Sequence, residues 1–223
     1  MRVSEFMTTN VITVSSKTSI TEARRYMVTH GVRRLPVVDK GSLVGIVTER
    51  RIAEASPSSA TTLSIWEINY LLGKMTVGEI MNKMVTTIRP DTTAESAIAL
   101  AQELKIGALC VVDEGYLVGI VTTNDFVYRI LNPVLGIGKP GVRLHIYNCG
   151  EACQIEEVLR LIDKNNLKIE TLHIDESCER DTRDLIVQVN VTNPGKLIAD
   201  LTGLGYKVEI RQRKPEPNLL GGK

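Results

Sequence analysis

Leu43-Val44-Gly45-Ile46-Val47-Thr48-Glu49-Arg50-Arg51 is written a second time, 74 positions on, as Leu117-Val118-Gly119-Ile120-Val121-Thr122-Thr123-Asn124-Asp125. Six letters agree and the last three do not. Extending outward, residues 3–52 lie on residues 77–126 without a gap and agree at about 18 of 50 positions. A repeat of this kind marks one supersecondary unit written twice, each copy too small to bury its faces alone. Pairing of the two copies is therefore a folding requirement.

Each copy has the same grammar. An apolar segment (11–14; 85–88) precedes a threonine, Thr18 or Thr92, that opens a helix with Ala and Leu or Met at helical spacing. Two strands follow, LPVVD then LVGIVT in the first copy and LCVVD then LVGIVT in the second, joined by Lys40-Gly41 and Glu114-Gly115 as hairpin turns. A second helix starts just after Thr48 or Thr122. The unit is β-α-β-β-α.

Leu35-Pro36-Val37-Val38-Asp39, Gly45-Ile46-Val47-Thr48 and Gly119-Ile120-Val121-Thr122-Thr123-Asn124-Asp125 carry a resemblance to the CBS domain. Two such domains in tandem resemble a Bateman module, over roughly the first 135 residues. Between the copies, ASPSSATTLSIWEINYLLGKMTVGEIM turns from Ser/Pro/Thr to Trp66, Ile68, Leu71 and Leu72 at helical spacing. That stretch is similar to the linker of the acetoin-utilisation regulatory family. The organisation expected is repeat 1 over 1–56, a linker helix over 57–76, repeat 2 over 77–135, and a Gly/Pro-rich linker over 136–141. A third domain follows over 142–213, then a tail over 214–223.

In the resembling family the pattern G-h-h-T-x-x-D places its threonine and aspartate where a strand becomes a helix. There the hydroxyl and free backbone N–H groups favour a phosphate, and the carboxylate accepts from ribose hydroxyls. Thr122 and Asp125 fit that description. In the first copy Thr48 stays but Arg51 replaces the carboxylate, and a guanidinium has no acceptor for a ribose hydroxyl. Conversely, Val32-Arg33-Arg34 in the first copy corresponds to Ile106-Gly107-Ala108 in the second. Carried over, the family arrangement implies one complete nucleotide cleft of Asn10, Ile12, Val32, Arg33, Arg34, Thr122 and Asp125. A weaker mirror cleft would hold Thr48, Arg51, Ile106 and Gly107, without the carboxylate and without the cations. The residues by themselves also admit a bland reading, in which Thr caps a helix and Asp sits in its first turn, worth about 1 kcal/mol to the fold.

No third copy follows 141. Segments 142–148, 168–174, 185–191 and 206–210 read as strands, and 152–165 and 194–204 as helices, the second opening with a proline. The order β-α-β-β-α-β is ferredoxin-like, and the segment resembles an ACT domain, whose members bind amino acids at a dimer interface. The family's P-G-x-L turn reads Ala152-Cys153-Gln154-Ile155 here, so that Cys153 stands where the ligand-contacting glycine would be. Cys149, Cys153 and Cys178 with His145 and His173 invite a metal reading, but no metal is assigned.

Near-equal charge, 27 basic against 26 acidic residues, argues against a nucleic-acid partner. Neither a leader-like start nor an apolar run long enough to span a bilayer is present, and a cytoplasmic protein with reduced thiols is expected. No phosphate-binding P-loop, nucleophile elbow or paired metal-ligand helix motif points to an enzyme. The fold class expected is α+β. The expected function is a regulatory sensor that binds AMP, ADP, ATP or an adenosyl compound, requires no cofactor, forms a homodimer and relays occupancy to the ACT-like domain and an enzyme partner. Two alternatives stay open: an interaction module that dimerises without a small ligand, and an amino-acid sensor acting through the ACT-like domain.

Overall fold

The computed structural model describes residues 1–55, 73–177 and 182–211. The chain divides into two compact units, Met1–Phe126 and Val127–Lys223. Most of the proposed linker helix with Trp66, Cys178, and the tail lie outside the described residues.

In the first unit, helix α1 (Ile20–His30) precedes strands β1 (Arg34–Asp39) and β2 (Ser42–Thr48) and helix α2 (Glu49–Ala55). The second copy repeats this as α3 (Ala94–Glu103), β4 (Ala108–Asp113) and β5 (Tyr116–Thr122), followed by a short helical turn Thr123–Asp125, and adds before α3 a short strand β3 (Thr87–Ile88) parallel to β4; in the first copy the strand expected over 11–14 is reduced to a single bridge from Val14 to Val37. Both β1–β2 and β4–β5 are antiparallel with a register shift at the same place, after Val37 and after Val111. Their turns take φ of 51° and 86° at Lys40-Gly41 and 47° and 87° at Glu114-Gly115. Two successive positive φ values define the tight hairpin turn whose twist matches that of the strands.

Each long helix begins one residue later than its threonine suggested. Ser19 and Thr93 are the caps, their side-chain oxygens accepting from the N–H of Glu22 and Ser96 at 3.2 Å each. Thr18 and Thr92 instead hold the preceding turn, accepting from the N–H of Ser15 and Arg89. The buried faces correspond one for one. Ile20, Ala23 and Met27 on α1 match Ala94, Ala97 and Ala101 on α3, at the i, i+3, i+7 spacing of an apolar stripe.

The two copies are locked by an exchange of their leading segments. Thr8 pairs with Ile120 of β5 through backbone bonds of 2.9 and 3.0 Å, and Asn82 pairs with Ile46 of β2 at 2.9 Å each way. Val3 donates to the Thr92 carbonyl and Val77 to that of Thr18. The start of each copy is thus hydrogen-bonded to the other copy. This explains Gly45 and Gly119, whose backbones need no positive φ. A Cβ on Gly45 would run into the Met81 side chain and lie 3.1 Å from the Asn82 carbonyl oxygen. One on Gly119 would meet the Met7 side chain and lie 3.3 Å from the Thr8 carbonyl oxygen.

The second unit continues the helical run from Phe126, with a π-helical turn Phe126–Leu131, and then forms β6 (Val142–Ile146), α4 (Ala152–Lys164), β7 (Ile169–Ser177), β8 (Thr182–Val189), α5 (Gly195–Gly203) and β9 (Val208–Arg211). The sheet order is β7-β8-β6-β9, all neighbours antiparallel. That is the β-α-β-β-α-β order read from the sequence, with strand ends moved by a few residues. Pro194 is the cap of α5, one place before the first helical position expected of it. The core of this unit joins Leu144, Ile146, Leu185, Val187 and Val189 of the sheet to Val158, Ile162, Leu197 and Leu201 of the helices. The stretch 136–141 is tied down. Gln188, fully buried, donates to the carbonyls of Lys139 and Pro140, while Arg143 donates to the Leu135 carbonyl and to Gln188 Oε1.

Among the described residues no helix is long and apolar enough to cross a membrane.

Candidate functional site

Two clefts flank the junction of the repeats. The first, of about 610 Å³, brings Val32, Arg33 and Arg34 of the first copy against Thr122, Thr123 and Asp125 of the second, with Thr8 and Ile120 on its wall. Five of the seven residues expected there are together. Asn10 and Ile12 are not on that wall. After Thr8 is pinned to Ile120 the chain turns away, leaving Asn10 exposed and Ile12 packed against the core of the first repeat.

Asp125 is 9% exposed, and its orientation is fixed locally. Its Oδ2 accepts from the Thr122 backbone N–H at 2.8 Å and from the Thr122 hydroxyl at 2.7 Å. The Thr122 side chain in turn receives the Asp125 N–H, which completes a capping box. The structural role weighed for Asp125 is therefore real, and it fixes a carboxylate facing a cleft whose other wall carries two guanidiniums. Burial, and then the charge of Arg33, hold Arg34 below its ordinary value. Both effects disfavour the cation, and a bound anion would relieve them.

The mirror cleft, of about 460 Å³, contains all four residues expected of it, Thr48, Arg51, Ile106 and Gly107. The expectation that it lacks cations is wrong. Arg33 and Arg34 line it as well as the first cleft, and Arg50 joins Arg51 on its far side. The reason is positional: Arg34 opens β1 close to where the two copies meet. Its guanidinium crosses over to lie against Gly107, in space that a Cβ at that residue would fill. Here Thr48 Oγ1 accepts from the Arg51 N–H at 3.2 Å, so the hydroxyl still caps the helix without a carboxylate.

In the second unit, His145 Nε2 lies 2.8 Å from Asp184 Oδ2 in a buried pair, and Arg211 Nε donates to His145 Nδ1 at 3.3 Å. An arginine can only donate, so Nδ1 is the acceptor and Nε2–H donates to Asp184. Asp184 also receives the Asn148 N–H at 2.8 Å, and Tyr147 stacks on His145 at 4.0 Å. His145 and His173 both pair across the sheet with Ile186 and so share one face. Cys149 is buried and Cys153 exposed, and burial pushes the Cys149 thiol up to about 11. Among the described residues no three His, Cys, Asp or Glu side chains come together in a way that could hold a metal ion. The ordering of His145 by an arginine and an aspartate from distant strands had no signal in the sequence.

Comparison with known proteins agrees with the repeat. The model of the family described as "CBS domain" matches residues 3–58 and 77–132, together half of the chain. Inosine-5'-monophosphate dehydrogenase of Korarchaeum cryptofilum is 38% identical over 133 residues, 59% of this chain but 25% of that enzyme. The CBS domain-containing protein YhcV of Bacillus subtilis is 34% identical over 123 residues, 55% of this chain and 81% of that protein. Among solved structures, a Vibrio cholerae protein named for acetoin utilization, AcuB, matches with a TM-score of 0.51 at 29% identity, covering 59% of this chain and 91% of its own.

Proposed function

This chain belongs to the CBS domain family, and we propose that it is a regulatory ligand sensor whose first cleft binds one adenine nucleotide or related adenosyl ligand per chain. The observation that carries this reading is the meeting, in one cleft, of Asp125 and Thr122 from one repeat with Arg33 and Arg34 from the other. A carboxylate has acceptor sites in several directions, so Asp125 can bond Thr122 and still receive ribose hydroxyls, while guanidinium forks suit phosphate. Val32 and Ile120 offer an apolar wall to the base. No reacting group is needed: binding itself is the event, and it acts by favouring one arrangement of the two repeats over another.

The C-terminal β-α-β-β-α-β unit is the proposed receiver of that change, with an ACT-like role and a regulated enzyme as its outlet. Its long edge strand β7, paired among the described residues with β8 alone, is suited to isologous pairing, in keeping with a homodimer. A dimer mass by light scattering at micromolar concentration is expected; a monomer removes this part of the proposal.

Calorimetry on the full chain with adenosine, AMP, ADP, ATP and S-adenosylmethionine tests the ligand reading. About one tight site per chain is expected for adenosine, AMP and S-adenosylmethionine, which carry no phosphate chain. Arg34→Ala should weaken binding by up to about tenfold for ATP, less for AMP and hardly at all for adenosine, since it removes a phosphate partner and leaves the ribose partner. Two equal adenosyl sites, or an equal loss for adenosine and ATP, would remove the asymmetry on which the reading stands.

A further inference from the structure

The mirror cleft keeps a threonine at the strand end but presents Arg51 at the place where the other cleft has the Asp125 carboxylate. Arg50 and Arg51 come from the start of α2, and Arg33 and Arg34 from the start of β1, so four arginines line a cleft of about 460 Å³. Among the described residues Glu49 is the one carboxylate on its wall. It stands 3.7 Å from Arg33 with both side chains well exposed, an arrangement that binds the pair weakly. Arg50 turns to Glu54 at 2.7 Å, again at the surface. Among the described residues no carboxylate comes within 4 Å of Arg34 or Arg51.

Like charges gathered in a concave space repel one another, and among the described residues Arg33 and Arg50 have a carboxylate within 4 Å while Arg34 and Arg51 have none. Arg34 is half-buried against Gly107, a residue whose lack of a side chain gives the guanidinium its place. A guanidinium presents five N–H donors in a planar fork that matches the oxygens of phosphate two at a time. Several forks around one small space suit a ligand with several adjacent charged oxygens. At the position that Asp125 holds in the other cleft Arg51 has no acceptor for a sugar diol, and the Glu49 carboxylate is turned to Arg33, so the geometry favours a bare phosphate chain over a nucleoside.

We infer that the mirror cleft is a site for a multivalent phosphate chain, pyrophosphate or tripolyphosphate in its simplest form, held by Arg34 and Arg51 with Arg33 and Arg50 at its rim. The site is separate in chemistry from the adenosyl cleft and does not depend on it, although Arg34 borders both. Recognition is by charge and fork geometry, and a nucleoside attached to the chain adds nothing at this position.

Calorimetric titration of the full-length protein with inorganic pyrophosphate and with tripolyphosphate, at about 50 mM and about 200 mM salt, tests this. One saturable site per chain is expected, tighter for tripolyphosphate and weaker at the higher salt. Arg51→Ala should lower pyrophosphate affinity at least about tenfold, and Arg51→Lys, which keeps charge but loses the fork, by a smaller factor. Asp125→Ala should leave pyrophosphate binding unchanged, and saturating adenosine should not displace it. Arg51 is exposed, so its variants should unfold at the wild-type temperature, which serves as the check on folding. No saturable pyrophosphate binding, binding that Arg51→Ala leaves intact, or binding lost in Asp125→Ala each overturns the inference. Adenosine binding is read separately, so failure here is distinguishable from failure of the adenosyl reading.

Discussion

The helix starts after Thr48 and after Thr122 sit on the same backbone and do different chemistry. Strand registers, the hairpin turns, the bulges after Val37 and Val111, and the crossing of Met81 over Gly45 and Met7 over Gly119 are all duplicated. Three residues into each helix the side chains part company, Arg51 against Asp125, and at the start of the preceding strand Arg33-Arg34 stand against Gly107-Ala108. Every duplicated feature is one whose loss would break a hydrogen-bond ladder or a packed contact. The divergent feature faces a cleft, where the fold tolerates either residue because Thr48 and Thr122 both supply the cap. At this strand-to-helix junction, identity between the copies follows the demands of folding, and the Arg51 against Asp125 difference falls where a ligand would be met.

The largest effect expected from this contrast is on binding. Asp125→Ala removes the ribose acceptor and should cost about tenfold to a hundredfold in affinity for every adenosyl ligand alike, roughly 1.5–3 kcal/mol. Arg51→Ala, at the equivalent place, should leave adenosine affinity unchanged. The comparison breaks if Asp125→Ala lowers only the unfolding temperature of the free protein and leaves calorimetric affinities intact, because Asp125 would then be a capping residue alone.

A somewhat smaller effect should be the same in both copies. Gly45→Val and Gly119→Val each drive a side chain into the exchanged segment, where a methionine can move but a carbonyl oxygen 3.1 or 3.3 Å away cannot do so freely. Each should destabilise by about 1–3 kcal/mol in thermal or urea unfolding. A large loss at one glycine and none at the other would mean that the exchange holds the fold on one side only.

Smaller again are the caps. Ser19→Ala and Thr93→Ala should each cost about 1 kcal/mol in the same unfolding measurement, within a few tenths of one another. Unequal costs would reveal that one helix is held by tertiary packing and the other by its cap.

The smallest effect separates the copies. Asp39 accepts from the Ser16 N–H and the Ser15 hydroxyl at 3.0 Å each, and hydrogen bonding from Ser16 and then Ser15 keeps it below the ordinary carboxylate value of 3.8. At the matching positions the second copy has Arg89 and Pro90, and proline has no N–H to give. Because the folded value is depressed, the stabilisation is complete above the ordinary value and fades as pH falls through the lower folded one. Asp39→Asn should therefore flatten the acid side of a stability-against-pH curve measured by thermal unfolding.

Much of the fold was legible because it rests on local chemistry. Lys40-Gly41 and Glu114-Gly115 announce their turns by residue type, helical spacing of Ala23 and Met27 announces a buried face, and the β-α-β-β-α-β order of the second unit follows from alternating periods. The helix starts were misplaced by one residue because Thr18 and Ser19 are both able to cap, and only the bond from Glu22 N–H decides between them. Asn10 and Ile12 were placed on the first cleft by analogy, and the turn of the chain after Thr8 removed them from it.

Sequence alone determined that there are two copies, that they need each other, and that the carboxylate and the arginine pair sit on opposite copies. These follow from composition along the chain, where each residue's chemistry is visible at its own position. Tertiary structure alone decided that the leading segments are exchanged and that Gly45 and Gly119 exist to admit them. It also decided that Arg34 reaches Gly107 and serves both clefts. Those facts depend on which atoms come within a few ångströms of one another across 36 to 112 positions of chain, and that distance is set by packing the two copies together, which no local pattern encodes.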